Sequence, residues 1–181
     1  ARVKLALGDA PGAVADFDRS LEADGSVAGT WADRGWARHS RGDLEGAVDD
    51  ATRAIELAPD LVQPRLNRGL AHDALGSFDL AEADYRGVLE LDPRHVMARY
   101  DLGVLHARRS RFAEAIPEFE RAIELDPNLY GAWANLGVAR AQLARWDEAI
   151  EALRKAIALA PEADRRPIED ALAQVERAAG R

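Results

Sequence analysis

The 181-residue chain has no cysteine, two lysines (Lys4 and Lys155) and no apolar run near the ~20 residues that a membrane-spanning helix requires. The missing thiols exclude disulfides, thiolate catalysis and cysteine-ligated zinc. They leave the compartment open, with the cytoplasm favoured. The first residues lack the charged and apolar pattern of a secretory leader, which says little in a chain that opens on Ala1. Positive charge is scarce: 24 basic residues stand against 32 acidic ones, for a net charge of −8. Affinity for nucleic acid comes from neutralising phosphates, so neither nucleic acid nor an anionic membrane surface is an expected partner. With only two lysines, nearly all the cations are arginine, a bias that fits a GC-rich bacterial genome better than a site. Aromatics are 6%, yet 48% of the chain is hydrophobic, enough to bury a core.

What is present is a period. Pro59, Pro93, Pro127 and Pro161 are each 34 residues apart, as are Gly35, Gly69, Gly103 and Gly137. Ala47, Ala81, Ala115 and Ala149 form a third column, and Leu57, Leu91, Leu125 and Leu159 a fourth. A fixed period of this size signals a repeat architecture. Four blocks follow, 28–61, 62–95, 96–129 and 130–163. Within a block the apolar spacing is helical: Trp146, Ala149, Ile150, Leu153, Ala156 and Ile157 line one face. The first half of the block carries a second helical stripe, from Trp133 to Ala141. Gly42-Asp43, Gly76-Ser77 and Ser110-Arg111 separate the halves as turns, whereas Ala144-Arg145 is a weak stop whose turn must be enforced by packing. Each block therefore predicts a helix-turn-helix pair. Residues 1–27 read as a partial repeat, with Gly8-Asp9 at the turn, and residues 164–181 as a capping helix with Pro167 in its first turn.

These columns resemble the tetratricopeptide repeat family, whose 34-residue unit carries Trp, Leu-Gly, Tyr, Ala, aromatic, Ala and Pro at set places. The last block matches best, at Trp133, Leu136-Gly137, Ala149, Leu153, Ala156 and Pro161. The resemblance implies an all-α, right-handed superhelical solenoid of antiparallel helix pairs. It places Phe78, Tyr85, Phe112, Phe119 and Trp146 in the interior. Two departures stand out: the usual Tyr is Arg38, His72, His106 and Arg140, and the Leu before Gly is Arg34 and Arg68 in the first two blocks.

In the family, first helices line a concave groove that receives a peptide. Carried onto this chain, the groove set is Asp33, Trp36, His39, Gln63, Leu66, Asn67, Leu70, Asp73, Met97, Tyr100, Asp101, Val104, Arg108, Asn135, Val138 and Gln142. The lysines with which chaperone-binding members clamp a terminal carboxylate are replaced here by Gly29, Ala32, Leu66 and Met97 among others. Asp33, Asn67, Asp101 and Asn135 instead form a ladder of short polar groups, one per repeat, with Asp suited to a basic side chain and Asn to a peptide backbone. The expected ligand is a protein or peptide segment with apolar anchors and basic residues. Trp36 and Tyr100 are the expected hot spots, because rigid aromatics dominate interfaces.

Catalysis is not expected. Asp33, His39 and Ser40 have the residue types of a hydrolase triad, but no strained nucleophile turn accompanies them. His72 and His106 share a column without a third metal ligand nearby. Arg41-Gly42-Asp43 is explained as a turn followed by a helix N-cap. No phosphate loop, zinc spacing or calcium loop appears, so no cofactor or metal is expected. Asp16, Asp18, Asp49, Asp50, Glu118, Glu120 and Glu151 fall on second helices and read as a solvated outer surface. The expected role is a protein-interaction scaffold. The alternatives are self-association through an exposed amino-terminal edge (Val14, Phe17, Leu21) and a substrate- or partner-presenting domain of a larger enzyme.

Overall fold

Five positions 34 residues apart, Gly8, Gly42, Gly76, Ser110 and Ala144, take left-handed backbone with φ of 80, 84, 74, 58 and 56°. At each, the next residue donates its N–H back to the carbonyl five residues earlier: Asp9 to Lys4, Asp43 to Arg38, Ser77 to His72, Arg111 to His106 and Arg145 to Arg140, at 2.8–3.0 Å. This is the left-handed closure that ends a helix and reverses the chain. Glycine adopts it without strain, whereas Ser110 and Ala144 adopt it against the cost of a Cβ.

The computed structural model describes residues 1–180, in two units that are helical throughout. The first spans Ala1–Pro93 and holds α1 (Arg2–Ala6), α2 (Ala10–Ala23), α3 (Ala28–Ser40), α4 (Leu44–Leu57), α5 (Val62–Ala74) and α6 (Phe78–Leu91). The second, from Arg94, holds α7 (Val96–Arg108), α8 (Phe112–Leu125), α9 (Tyr130–Gln142), α10 (Trp146–Leu159) and α11 (Glu162–Ala178). In each unit every helix packs on the next, and first helices also touch the first helix of the following pair, α3 on α5 and α7 on α9. This is the packing of a helix-pair solenoid, with no strand among the described residues.

The close approach within a pair rests on small residues. Ala47, Ala81, Ala115 and Ala149 are buried, and a Cβ added at Gly103 would lie 2.7 Å from the Phe119 ring. Tyr85 and Phe119 are fully buried, whereas Phe78, Phe112 and Trp146 are half-buried at the ends of their helices. Pro117 sits inside α8 on its exposed side, where it removes one helical hydrogen bond. α11 starts earlier than the sequence suggests, directly after Pro161, with Glu162 and Asp164 in its first turn complementing the helix dipole. Pro167 therefore falls in the second turn, exposed, and not in the first.

Two readings of the surface are corrected. Val14 and Phe17, taken as an exposed edge, are buried with Ala13 and Ala37, and Leu5 of α1 packs over them; Leu21 is half-buried. The apolar side chains that do reach solvent there are Val3 and Leu7. Asp50 is likewise not a solvated surface acid: it is 1% exposed. The reason lies in the arginines that replace Leu. Arg34 donates from Nε and Nη2 to the two Asp50 oxygens (2.9 and 2.7 Å) and from Nη1 to Asp18 of the preceding pair (2.7 Å). Arg38 adds a 3.0 Å contact to Asp50. One repeat on, Arg68 forks onto Asp84 (2.9 and 2.7 Å) and reaches back to the Thr52 hydroxyl (3.2 Å). The second unit fills the same columns with buried Leu102 and Leu136, opposite Glu118 and Ala152. There Arg140 reaches back to Glu120 (2.8 Å), and Glu118 is held by Arg99 (3.0 Å). The Asp50 hydrogen bond, the largest influence, holds the Arg34 guanidinium above its ordinary pKa.

Removing one member of a buried pair strands the other, whereas replacing both by apolar groups is close to neutral. Asp84→Ala is expected to cost about 3 kcal/mol in urea unfolding, and Arg68→Leu/Asp84→Ala, which copies Leu136 and Ala152, to recover most of that loss. Additive losses would contradict this. Ala144→Gly, at a left-handed position, is expected to stabilise the protein by about 0.5–1 kcal/mol, read as a rise in the urea midpoint at constant slope.

Candidate functional site

Side chains that the first helices do not use for pairing or stacking form one face in each unit. In the first unit this face is carried by α3 and α5. Trp36 is 40% exposed and its ring stacks on His39 one turn later, centroids 5.5 Å apart and planes within 7°. Burial, the largest influence, keeps the His39 pKa below the ordinary histidine value, against the opposing pull of the Leu70 backbone. Asp33 accepts a hydrogen bond from Arg2 Nε of α1. Leu66 and Asn67 turn inward and are buried, and Asn67 Oδ1 takes the Gln63 amide at 2.8 Å. Leu70 and Asp73 are half-buried and Gln63 exposed.

In the second unit the face belongs to α7 and α9. Met97 and Val138 are 43% and 39% exposed, Arg108 and Gln142 are exposed, and Tyr100, Asp101 and Val104 are half-buried. The Tyr100 ring leans on Phe119 at 6.1 Å, and its hydroxyl accepts from Asn135 Nδ2 at 3.1 Å. That hydroxyl lies 3.2 Å from where a Cβ on Gly131 would be, so glycine there gives the tyrosine its room. Burial, then the neighbouring Asp101 charge, raises the Tyr100 pKa.

The polar ladder is thus brought together only in part. Asp33, Asn67 and Asn135 occupy equivalent places, but each is engaged within its own unit, by Arg2, Gln63 and Tyr100. An α-helix turns about 100° per residue, so Asn67, beside the buried Leu66, lies at the border of the exposed stripe and the stacking contact takes it. Two features escaped sequence reasoning. Arg2 stands 34 residues before Trp36, so the repeat register itself places it beside the face. A cleft of about 420 Å³ joins Gln142 and Trp146 to Gln174, Val175 and Ala178 of α11. The Trp133 indole is committed elsewhere, donating to the Pro127 carbonyl at 3.0 Å, as Trp31 does to Gly25 at 2.8 Å.

A family profile described as tetratricopeptide repeat matches residues 1–61 and 66–130, and a second profile of the same description matches 106–175. No curated protein sequence matches the chain. Among solved structures it is similar to MamA, at 22% identity with a TM-score of 0.80, covering 86% of this chain and 91% of that one. It is also similar to a MamA piece from Desulfovibrio magneticus RS-1, at 23% and 0.78, covering 84% and 85%. YrrB, described as a TPR protein with an unusual peptide-binding site, matches at 24% and 0.76, covering 94% and 87%. At these identities the likeness shows the fold.

Because burial holds the His39 pKa below that of an unfolded-chain histidine, the unfolded state binds more protons in the interval between the two values. Stability is therefore expected to fall as pH drops below about 6.5, through that interval. His72, lowered by burial against the pull of Asp84, acts in the same direction. His39→Gln is expected to flatten this slope in urea midpoints measured across pH 7 to 5, and an unchanged slope would refute the assignment.

Proposed function

The chain belongs to the tetratricopeptide repeat family, and from that premise we propose that it is a non-catalytic protein-interaction scaffold whose first-helix faces hold a peptide segment with apolar anchors and basic residues. The observation that carries this reading is the exposure of Trp36, Met97 and Val138 on those faces. Large apolar side chains grouped on one face and rimmed by polar groups mark contact surfaces in soluble proteins. In the first unit Asp33 and Asp73 give the face acidic groups, and Asp33 already holds a guanidinium, that of Arg2, which favours a ligand with positive charge. The peptide-binding description of YrrB supports a peptide as the ligand class.

Within this reading Trp36 is the main anchor of the first unit, since its flat ring is exposed and already ordered by the His39 stack. Tyr100 has a different part. Its hydroxyl is taken by Asn135 and its ring supports Phe119, so it shapes the wall beside Met97 and Val138. Trp36→Ala combined with Met97→Ala removes apolar contact from both faces without touching the buried core.

The test is affinity capture from a lysate, with intact protein beside this double variant and quantitative mass spectrometry of what each retains. The double variant is expected to keep its unfolding midpoint and to lose at least tenfold of the specific partner. An anchor residue contributes about 2 kcal/mol or more, hence the tenfold floor. Equal recovery by both proteins would reject the reading.

A further inference from the structure

Resting on the peptide-scaffold reading, we infer that Asp33, with the neighbouring Trp36–His39 stack, forms a subsite for an arginine side chain of the partner segment, and that Arg2 occupies this subsite when no partner is bound. The chain itself shows the ligand chemistry. A guanidinium is seated on Asp33, its Nε donating to Oδ2, and this is the contact Asp33 makes. Trp36 follows Asp33 by three residues on α3, which puts the carboxylate and the exposed ring on the same side of the helix. A guanidinium suits both at once, since it pairs with carboxylate through its edge and stacks on aromatic rings through its face. The same chain uses that geometry nearby, where Arg34 lies over the Trp31 ring at 4.7 Å while pairing with Asp50.

The resident arginine is weakly held. Its side chain is 77% exposed and makes one hydrogen bond where a fork could make two. Elsewhere on α1, Leu5 packs over Val14 and Phe17, and Lys4 pairs with Asp16 at 2.8 Å. An exposed pair of this kind contributes little, so an incoming arginine that also brings apolar contact to Trp36 displaces it. Arg2 then acts as a competitor in cis that raises the threshold for partners lacking a basic residue.

The experiment titrates the blocked peptide acetyl-Leu-Ala-Arg-Ala-Leu-amide, and its citrulline analogue, into wild type, Arg2→Ala, Asp33→Asn and the double variant. The Trp36 indole N–H resonance is followed by NMR. Arg2→Ala is expected to bind the arginine peptide about two- to fivefold more tightly than wild type, the range that an exposed ion pair supports. In the Asp33→Asn background the same change is expected to have no effect, and the citrulline peptide is expected to gain nothing from Arg2→Ala. Tightening by Arg2→Ala that is equal with and without Asp33, or absent while the peptide still binds, overturns the inference and leaves the scaffold reading standing. A peptide that moves the Trp36 resonance in none of the four proteins overturns the inference and counts against the first-unit face as a peptide site.

Discussion

A pair of helices of 13 and 14 residues has too little surface to close on itself, so each pair in this chain is stable only against a neighbour. The rest of the structure follows from that constraint. The left-handed turns at 34-residue intervals reverse each first helix onto its partner. The alanine and glycine columns let the backbones approach, and Tyr85 and Phe119 fill the space that the small residues leave. The same need is met by α11, which lays Ile168 and Val175 into the apolar cluster of α10, and by Leu5 of α1, which packs over Val14 and Phe17.

Stacking is secured by two chemistries at one place. Where the second unit uses Leu102 and Leu136, the first uses Arg34 and Arg68, each forked onto a buried aspartate of its own pair and extended to a side chain of the pair before. Burying a charge is costly unless it is paired and fully hydrogen-bonded, and the bidentate geometry meets that condition. The ionic version is directional: Arg34 reaches Asp50 of its own pair and Asp18 of the pair before.

The period, the helix pairs and the place of the turns were legible from columns of single residues, because spacing alone dictates them. Even the turn at Ala144, a weak stop in sequence, was legible from the register, and its φ of 56° is the left-handed value of the other turns. Asp50 was not, since an aspartate on a second helix reads as a surface charge. The signal was the joint occurrence of Arg34 with Asp50 and Arg68 with Asp84 at a separation of 16, absent where Leu136 faces Ala152. The candidate face was legible as a stripe but not at its border: a 100° step cannot decide whether Leu66 and Asn67 face the neighbouring helix or solvent, and neighbouring packing decides it. The engagement of Asp33 by Arg2 was not legible, because the repeat register places Arg2 beside the face but does not give its contacts.

The faces we propose as the binding surface are those left over after stacking, and their exposed apolar side chains, Trp36, Met97 and Val138, lie on helices that the turns and forks hold in place. Hydrogen–deuterium exchange with a captured partner segment tests this most directly. The account predicts slowed exchange in peptides covering α3, α5, α7 and α9 when the segment is bound, with α4, α6, α8 and α10 unchanged. Protection confined to the second helices would contradict it.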